Sequence, residues 1–308
     1  MAVNHSVAGS NPARGATSRA RGPKLSGFVC VRGCIITMRV LYFGDVVGRS
    51  GREAVLQNLS FLKDRLRLDF IVLNGENAAA GFGITSKICE EFFKIGINCI
   101  TLGNHAWDQR EIFSYIGGES RLIRPLNYPI GAPGRGSQIY SLNDGRKILI
   151  IQVMGRLFMD TLDDPFQKVD EILKSYPLGK AVSFILVDVH AEATSEKMAL
   201  AHYLDGRVSA VIGTHTHIPT ADTQIFSGGT AYQSDVGMCG DYNSVIGMKK
   251  EVPIARFTKK LPTERMSPSE GEGDMCAVFI ESDDLTGRAL KILPVRMGPR
   301  LSQTIPEV

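Results

Sequence analysis

From Met38 onward the sequence contains short runs of consecutive apolar residues, separated by segments with the spacing of amphipathic helices. Runs that are apolar at every position are typical of strands whose two faces are both covered. The alternation of such strands with helices predicts an α/β protein. The predicted strands are Arg39–Phe43, Phe70–Leu73, Cys99–Leu102, Ile148–Val153, Val182–Val189, Val208–Ile212, Ala277–Ile280 and Ala289–Val295.

Three helices are predicted between these strands. The first carries one apolar stripe with the spacing i, i+4, i+7, i+11, formed by Val55, Leu59, Leu62 and Leu66. The other two cover Ser86–Ile95 and Ser195–Leu204. Residues 258–274 are rich in Lys, Pro, Ser, Glu and Gly, which predicts a mobile loop between late strands. Because no repeat or interdomain linker is present, we expect residues 38–308 to form a single domain.

Composition and charge exclude several classes of protein. The 308 residues are 44% hydrophobic and 22% charged, a globular profile, and no apolar run approaches the roughly 18 residues of a membrane-spanning helix. The net charge is +3, but residues 1–37 hold five basic side chains and no acidic one. The rest of the chain therefore has 30 basic and 32 acidic residues, which gives no basic footprint for stable nucleic-acid binding.

Residues 1–37 form a basic leader for which two interpretations stay open. Met38 directly precedes the first strand and is a candidate for the true start of the protein, in which case the leader is not translated. The leader is also rich in Arg, Ser and Ala and has no acidic residue, which is typical of a transit peptide. If the leader is translated, we expect it to be disordered, and on either interpretation the folded domain begins at residue 38.

The cysteines predict a reducing compartment. There are six, they form no Cys-x-x-Cys pair, and their spacing shows no disulfide framework: Cys30, Cys34, Cys89, Cys99, Cys239 and Cys276. In a chain of this length that pattern is typical of reduced, mostly buried thiols. We therefore expect a cytoplasmic protein.

Polar residues follow five of the predicted strands, in most cases directly after a glycine. Glycine at that point permits a sharp exit from the strand and a close approach of the backbone to a ligand. In open α/β sheets ligands bind beyond the carboxyl ends of the strands, so these five endings are expected to converge on one site. They read Gly44-Asp45, Gly75-Glu76-Asn77, Gly103-Asn104-His105, His190 and Gly213-Thr214-His215-Thr216-His217.

The side chains at these endings indicate a catalytic metal site. Imidazole together with carboxylate and amide oxygen suits Mn, Fe or Zn in a catalytic role, whereas structural zinc favours thiolates. Seven candidate ligands are too many for one ion and could serve two ions that share a bridging carboxylate, with Glu76 as the natural bridge. The seven are Asp45, Glu76, Asn77, Asn104, His190, His215 and His217.

In their order along the chain these motifs resemble those of the calcineurin-like metallophosphoesterases, whose pattern is an early Asp, a Gly-Asp, a Gly-Asn-His, a lone His and a late Gly-His-x-His. The resemblance runs from about Met38 to Phe257, and the runs GDVVG, LNGEN, TLGNHAWD and GTHTHIPTAD are most similar to the YmdB-like branch. Two features depart from the broad pattern. Asp45-Val46-Val47 replaces the usual Asp-x-His, and Gly75-Glu76 replaces Gly-Asp.

The resemblance implies a fold and a set of roles. The fold would be a four-layer α/β/β/α sandwich with two mixed sheets flanked by helices. One ion would bind Asp45, Glu76, Asn77 and His217, and the other Glu76, Asn104, His190 and His215. His105 would protonate the leaving oxygen or steady the phosphate, and a metal-bound water would be the nucleophile. Thr216, Phe82 and Asp108 are candidates for contact with substrate.

The function implied by the resemblance is a dinuclear metal-dependent phosphodiesterase, with 2',3'-cyclic nucleotides as candidate substrates and Mn or Fe, or else Zn, as the metal. Three alternatives stay open. They are a phosphomonoesterase or nucleotidase, a regulatory protein that keeps the metals but acts through a partner, and a metallohydrolase on a β/α barrel. The expected partners are a small phosphodiester or nucleotide, with no membrane; a homo-oligomer is left open.

Overall fold

The computed structural model describes residues 37–308, and the leader predicted over residues 1–37 lies outside the described residues except for Thr37. The described residues form fourteen strands: β1 (Thr37–Phe43), β2 (Asp45–Val46), β3 (Phe70–Asn74), β4 (Cys99–Thr101), β5 (Leu122–Ile123), β6 (Ser137–Ser141), β7 (Lys147–Met154), β8 (Phe184–His190), β9 (Ala210–Thr214), β10 (Gln224–Ile225), β11 (Ala231–Gln233), β12 (Met238–Cys239), β13 (Met275–Asp283) and β14 (Ala289–Met297). They also form six helices: α1 (Gly48–Leu66), α2 (Ser86–Ile95), α3 (Ile112–Tyr115), α4 (Pro165–Ser175), α5 (Thr194–Tyr203) and α6 (Glu251–Lys259).

The strands form two six-stranded mixed sheets and one short pair. The first sheet has the order β14-β13-β1-β3-β4-β5, with β1, β3, β4 and β5 parallel. The second has the order β10-β11-β9-β8-β7-β6, with β11, β9, β8 and β7 parallel. The strands β12 and β2 pair in parallel beside them. The predicted α/β class is confirmed, and the arrangement of two separate sheets overturns the barrel alternative.

Three apolar clusters separate four layers. Between the sheets, inward residues of β1 such as Val40 and Tyr42 pack with residues of the second sheet such as Ile150 and Leu186. On the outer face of the first sheet, α1 and α2 pack against alternate β1 residues such as Phe43. On the outer face of the second sheet, α4 and α5 cover β7, β8 and β9. Because neighbouring strand residues face opposite layers, both faces of each central strand are buried, as its continuous apolar run predicts.

Several elements differ from the sequence predictions. Helix α1 starts at Gly48, about two turns before Val55, the first residue of its predicted apolar stripe. Strand β9 ends at Thr214, two residues later than predicted. The helices α3, α4 and α6 and six short strands were not predicted. The first two residues of the predicted loop at 258–274 belong to α6. Later in that loop, the carbonyl of Gly271 accepts a hydrogen bond of 2.6 Å from the hydroxyl of Ser50, on α1. The mobility of the loop stays a prediction.

The four cysteines among the described residues, Cys89, Cys99, Cys239 and Cys276, are free and buried, as predicted. Burial raises the pKa of the Cys99 thiol to about 12, which keeps it protonated and unreactive near neutral pH.

Within residues 37–308, none of the helices has the length and apolar character needed to cross a membrane.

Candidate metal centre

The five predicted strand endings meet at one edge of the sandwich. Asp45 follows β1, Glu76 follows β3 and Asn104 follows β4, all in the first sheet, whereas His190 ends β8 and His215 follows β9 in the second. The site therefore lies where the carboxyl ends of the parallel strands of both sheets come together. Such a place exists only after the two sheets have packed against each other.

His190 is the centre of the first group of ligands. Its Nε2 atom lies 3.0 Å from Oε1 of Glu76, 2.9 Å from Oδ1 of Asn104 and 3.1 Å from Nδ1 of His215. Glu76, His190 and His215 offer ligand atoms that all lie within 4.8 Å of one another, the geometry of a metal-binding cluster. The structure thus brings together all four residues that the resemblance assigns to one ion.

The remaining predicted ligands lie beside this group. Oδ1 of Asp45 is 3.9 Å from Nε2 of His217, and Oδ1 of Asn77 is also buried. Neither oxygen accepts a hydrogen bond from any described residue. A buried acceptor left without a donor costs about 1–3 kcal/mol, and a bound cation would remove that cost. Two such unpaired oxygens, beside the carboxylate of Glu76 and the imidazole of His217, are ligands of the type that a divalent cation binds.

Burial and neighbouring charges shift the protonation of the centre. Burial raises the pKa of Asp45 to about 6, although His217 and His190 oppose the shift. Burial acts against both charged forms of the Glu76–His190 pair, but their mutual attraction outweighs it, so the pKa of Glu76 falls and that of His190 rises. Burial and the charge of His190 lower the pKa of His215 to about 3. His215 is therefore neutral, as a metal ligand must be.

Hydrogen bonds select the ring tautomers of two histidines. The Thr214 hydroxyl donates to Oδ1 of Asp188 at 2.8 Å, so it can only accept from Nδ1 of His190, 2.9 Å away. Nδ1 of His217 lies 2.8 Å from the carbonyl oxygen of Ile246, which can also only accept. Both histidines thus carry a proton on Nδ1, and Nε2 is the ring atom that a cation at the centre would bind in place of any proton there.

A buried ion pair holds the loop that carries His215 and His217. Nζ of Lys197, on α5, donates to Oδ2 of Asp235 at 3.0 Å and to the Thr214 carbonyl at 2.6 Å. The same carboxylate oxygen accepts from the backbone nitrogen of Thr216 at 2.9 Å and from its hydroxyl at 2.7 Å. We call Lys197 and Asp235 the loop clamp. It is fully buried and was not predicted from the sequence.

His215 and His217 are two residues apart, and in an extended segment their side chains would point the same way, but this loop is not extended. The φ angles of His215 and His217 are 98° and 67°, in the left-handed region. Such a backbone conformation costs roughly 1–3 kcal/mol per residue and persists only where the surrounding structure imposes it. The loop clamp supplies that constraint. The two histidines consequently reach different members of the centre, His215 towards His190 and His217 towards Asp45.

A family model described as YmdB-like protein matches residues 41–295, most of the folded chain. This chain belongs to the YmdB-like family. The predicted resemblance is therefore confirmed at the level of the family.

Several proteins of known name or structure are similar to this YmdB-like chain. The 2',3'-cyclic-nucleotide 2'-phosphodiesterase of Bacillus subtilis (strain 168) is 46% identical over 255 residues, covering 83% of this chain and 95% of that protein. A hypothetical protein from Thermus thermophilus matches with a TM-score of 0.79 and 44% identity, over 85% of this chain and 99% of that one. A novel phosphatase from Mycoplasma pneumoniae matches with a TM-score of 0.80 and 33% identity, over 86% and 94% of the two chains.

His105 lies at the open side of the YmdB-like centre. Its backbone nitrogen donates to Oε2 of Glu76 at 3.0 Å, and Nδ1 of its ring is 2.9 Å from Oδ2 of Asp108. The ring also packs edge-on against Phe82, with centroids 5.1 Å apart. These contacts fix the ring of a partly exposed histidine beside the ligands and leave its Nε2 available to a bound molecule.

Thr216, the third residue predicted to contact substrate, has a structural partner within the protein. The Thr216 hydroxyl is bound to Asp235 of the loop clamp, and a role of Thr216 in substrate binding stays a prediction.

Gly103 lies in direct contact with the ligands of the centre. A Cβ at this position would collide with Oε2 of Glu76 and would lie 2.5 Å from Nε2 of His190, so only glycine leaves room for the ligands.

Two depressions open from the centre. The apolar cleft has a volume of about 440 Å³ and is lined by Glu76, Asn77, Phe82, His105, His215, His217, Val245, Ile246, Met248, Pro253, Arg256, Phe257 and Met266. The acidic groove is lined by Asn104, His105, Asp108, Phe158, Met159, Asp160 and His215. His105 and His215 border both, so the centre lies between them. Among the lining residues of the two depressions, the sequence predictions included those at the strand ends together with Phe82 and Asp108.

Proposed function

We propose that this YmdB-like protein is a dinuclear metal-dependent phosphodiesterase, with 2',3'-cyclic nucleotides as candidate substrates. The observation that carries the proposal is the pair of orphaned buried oxygens on Asp45 and Asn77, beside the cluster of Glu76, His190 and His215. With His217 on the side of Asp45 and Asn77, and Asn104 on the side of the two histidines, they would supply three ligands on each side of a shared Glu76. The name of the Bacillus subtilis relative supports diesters, and 2',3'-cyclic nucleotides in particular, as the substrate class.

The metals and the protein have separate tasks. When bound, two divalent cations, Mn or Fe or else Zn, would lower the pKa of an attacking water and neutralise charge that develops on the phosphoryl oxygens. The protein orients the ligand histidines, through Thr214 for His190 and through Ile246 for His217. The buried carboxylates of Asp45 and Glu76 would offset part of the positive charge of the ions.

His105 is the proposed proton donor to the leaving oxygen. Its ring is oriented by Asp108, 2.9 Å from Nδ1, in the way that a carboxylate orients a catalytic histidine in other hydrolases. With Nδ1 engaged, a proton on Nε2 faces the opening shared by the apolar cleft and the acidic groove. A phosphate ester held at the centre would present its leaving oxygen on this side.

A second candidate is a phosphomonoesterase, favoured by the name of the similar Mycoplasma pneumoniae structure as a phosphatase. Hydrolysis of bis-p-nitrophenyl phosphate and of p-nitrophenyl phosphate, with Mn²⁺ and with chelator, separates the two candidates. We expect faster turnover of the diester, lost in chelator and in an identically prepared Asn104→Ala control. Preference for the monoester would support the second candidate, and bound metal without turnover of either ester would favour a regulatory protein. The cytoplasmic setting and the oligomeric state stay predictions.

A further inference from the structure

The apolar cleft has a wall that phosphate chemistry does not require. Besides the residues of the metal centre, six apolar side chains from residues 245–266 line it: Val245, Ile246, Met248, Pro253, Phe257 and Met266. A phosphoryl group is bound by cations and hydrogen-bond donors and gains nothing from such a surface. The wall therefore fits the part of a substrate that lies beyond its phosphate.

Side chains at this wall are accessible to a ligand. Phe257 is 82% exposed and Ile246 is 50% exposed, so most of the Phe257 side chain and about half of Ile246 are accessible to a ligand. Phe82 lines the same cleft, and the guanidinium carbon of Arg265 lies 5.4 Å from the centroid of its ring. Aromatic and guanidinium groups of this kind stack on nucleobases, at about 1–3 kcal/mol per base.

The wall is physically connected to the metal centre. The Ile246 carbonyl holds Nδ1 of His217, while the Ile246 side chain faces the apolar cleft. Arg256, on α6, binds the Thr263 hydroxyl at 2.7 Å and the Glu264 carbonyl at 3.3 Å, which fixes the segment that leads to Arg265. A ligand in the apolar cleft therefore lies directly beside any phosphate held by the ions.

We propose that the apolar cleft binds the nucleobase of a nucleotide diester whose phosphate lies at the metal centre. This inference rests on the proposed function and adds where the base is recognised. The volume of about 440 Å³ is within the usual range of small-molecule sites, roughly 300–1,000 Å³. The cations of Arg256 and Arg265 suit an anionic nucleotide, whereas Asp108 and Asp160 give the acidic groove the opposite charge.

The test compares two diesters that differ only in the base: 2',3'-cyclic AMP and the 2,3-cyclic phosphate of methyl β-ribofuranoside, which has none. We expect the intact enzyme to prefer the nucleotide about tenfold or more in kcat/KM, the value of one stacked base. Phe257→Ala should abolish most of that preference, mainly through KM. Because Phe257 is so exposed, its removal is not expected to affect folding.

Phe158→Ala is the matched control, since Phe158 is 91% exposed and borders the acidic groove beside the same centre. We expect it to keep the preference for the nucleotide. Titration calorimetry with adenosine 3'-monophosphate should show weaker binding to Phe257→Ala than to Phe158→Ala. Equal rates on both diesters would overturn the inference and leave the proposed function standing, whereas hydrolysis of neither diester would contradict the proposed function itself.

Two other results would also overturn the base assignment. A loss of preference in Phe158→Ala but not in Phe257→Ala would move the base to the acidic groove. A change in elution volume of Phe257→Ala, with the preference intact, would show that the exposed wall contacts a second copy of the chain.

Discussion

Nε2 of His190, at the end of one sheet, lies 3.0 Å from Oε1 of Glu76, which follows a strand of the other sheet. Both side chains are buried, and each is held by further contacts within its own sheet layer. The metal centre is therefore formed by the packing of the two sheets.

Replacing His105 separates chemistry from metal binding. His105→Ala should keep the normal metal content but slow turnover of bis-p-nitrophenyl phosphate by about 10²-fold or more, because the proposed proton donor is lost. His202→Ala is a control, since His202 stacks on Phe226 away from the centre, with ring centroids 4.1 Å apart. Unchanged kcat in His105→Ala would refute the proton-donor role.

Thr214 orients His190 without touching a metal. Thr214→Val keeps the shape of the side chain but leaves Nδ1 of His190 and the Asp188 carboxylate without their shared hydroxyl. We expect metal affinity to fall about 10- to 100-fold, as for other partners of metal-binding histidines. Thr214→Ser should restore most of it. Equal Mn²⁺ affinity of the valine and serine variants, measured by calorimetry, would show that the hydroxyl does not set the tautomer.

The loop clamp should contribute to stability through its buried charges. Lys197→Met leaves the Asp235 carboxylate buried without its cation, and we expect a loss of about 3–5 kcal/mol in the free energy of unfolding in urea. The control is Lys168→Met, which breaks a partly exposed pair with Asp163 at 3.3 Å and should cost less than about 1 kcal/mol. Adding Asp235→Asn to Lys197→Met should recover part of the loss. Similar losses from Lys197→Met and Lys168→Met would contradict the account of the clamp.

The positions of the ligands could be predicted from the sequence because each one follows a buried apolar strand. Asp45, Glu76 and Asn104 come directly after glycines at such ends, and the sheet then fixes where they meet. The start of α4 also had a local signal, since Asp164 caps it and Pro165 is its first residue. The helix could therefore have been predicted from these two residues.

The orientation of the ligands could not be predicted in the same way. Thr214 and Asp188 contact His190 only because β8 and β9 are neighbours in the second sheet. Lys197 and Asp235 are 38 residues apart, and a lysine in a helix gives no local sign that it will be buried. The left-handed backbone of His215 and His217 depends on this clamp, so the spacing of the two histidines does not indicate it.

The most direct test of a dinuclear centre that shares Glu76 is the number of metal ions per chain in the variant Glu76→Gln. This substitution removes the carboxylate charge and keeps the size of the side chain. Inductively coupled plasma mass spectrometry on protein loaded with Mn²⁺ should find two ions per chain in the intact protein and in Glu53→Gln, a variant of an exposed glutamate on α1. It should find none in Glu76→Gln, with circular dichroism unchanged. Two ions retained in Glu76→Gln, or a single ion in the intact protein, would contradict a dinuclear centre that shares Glu76.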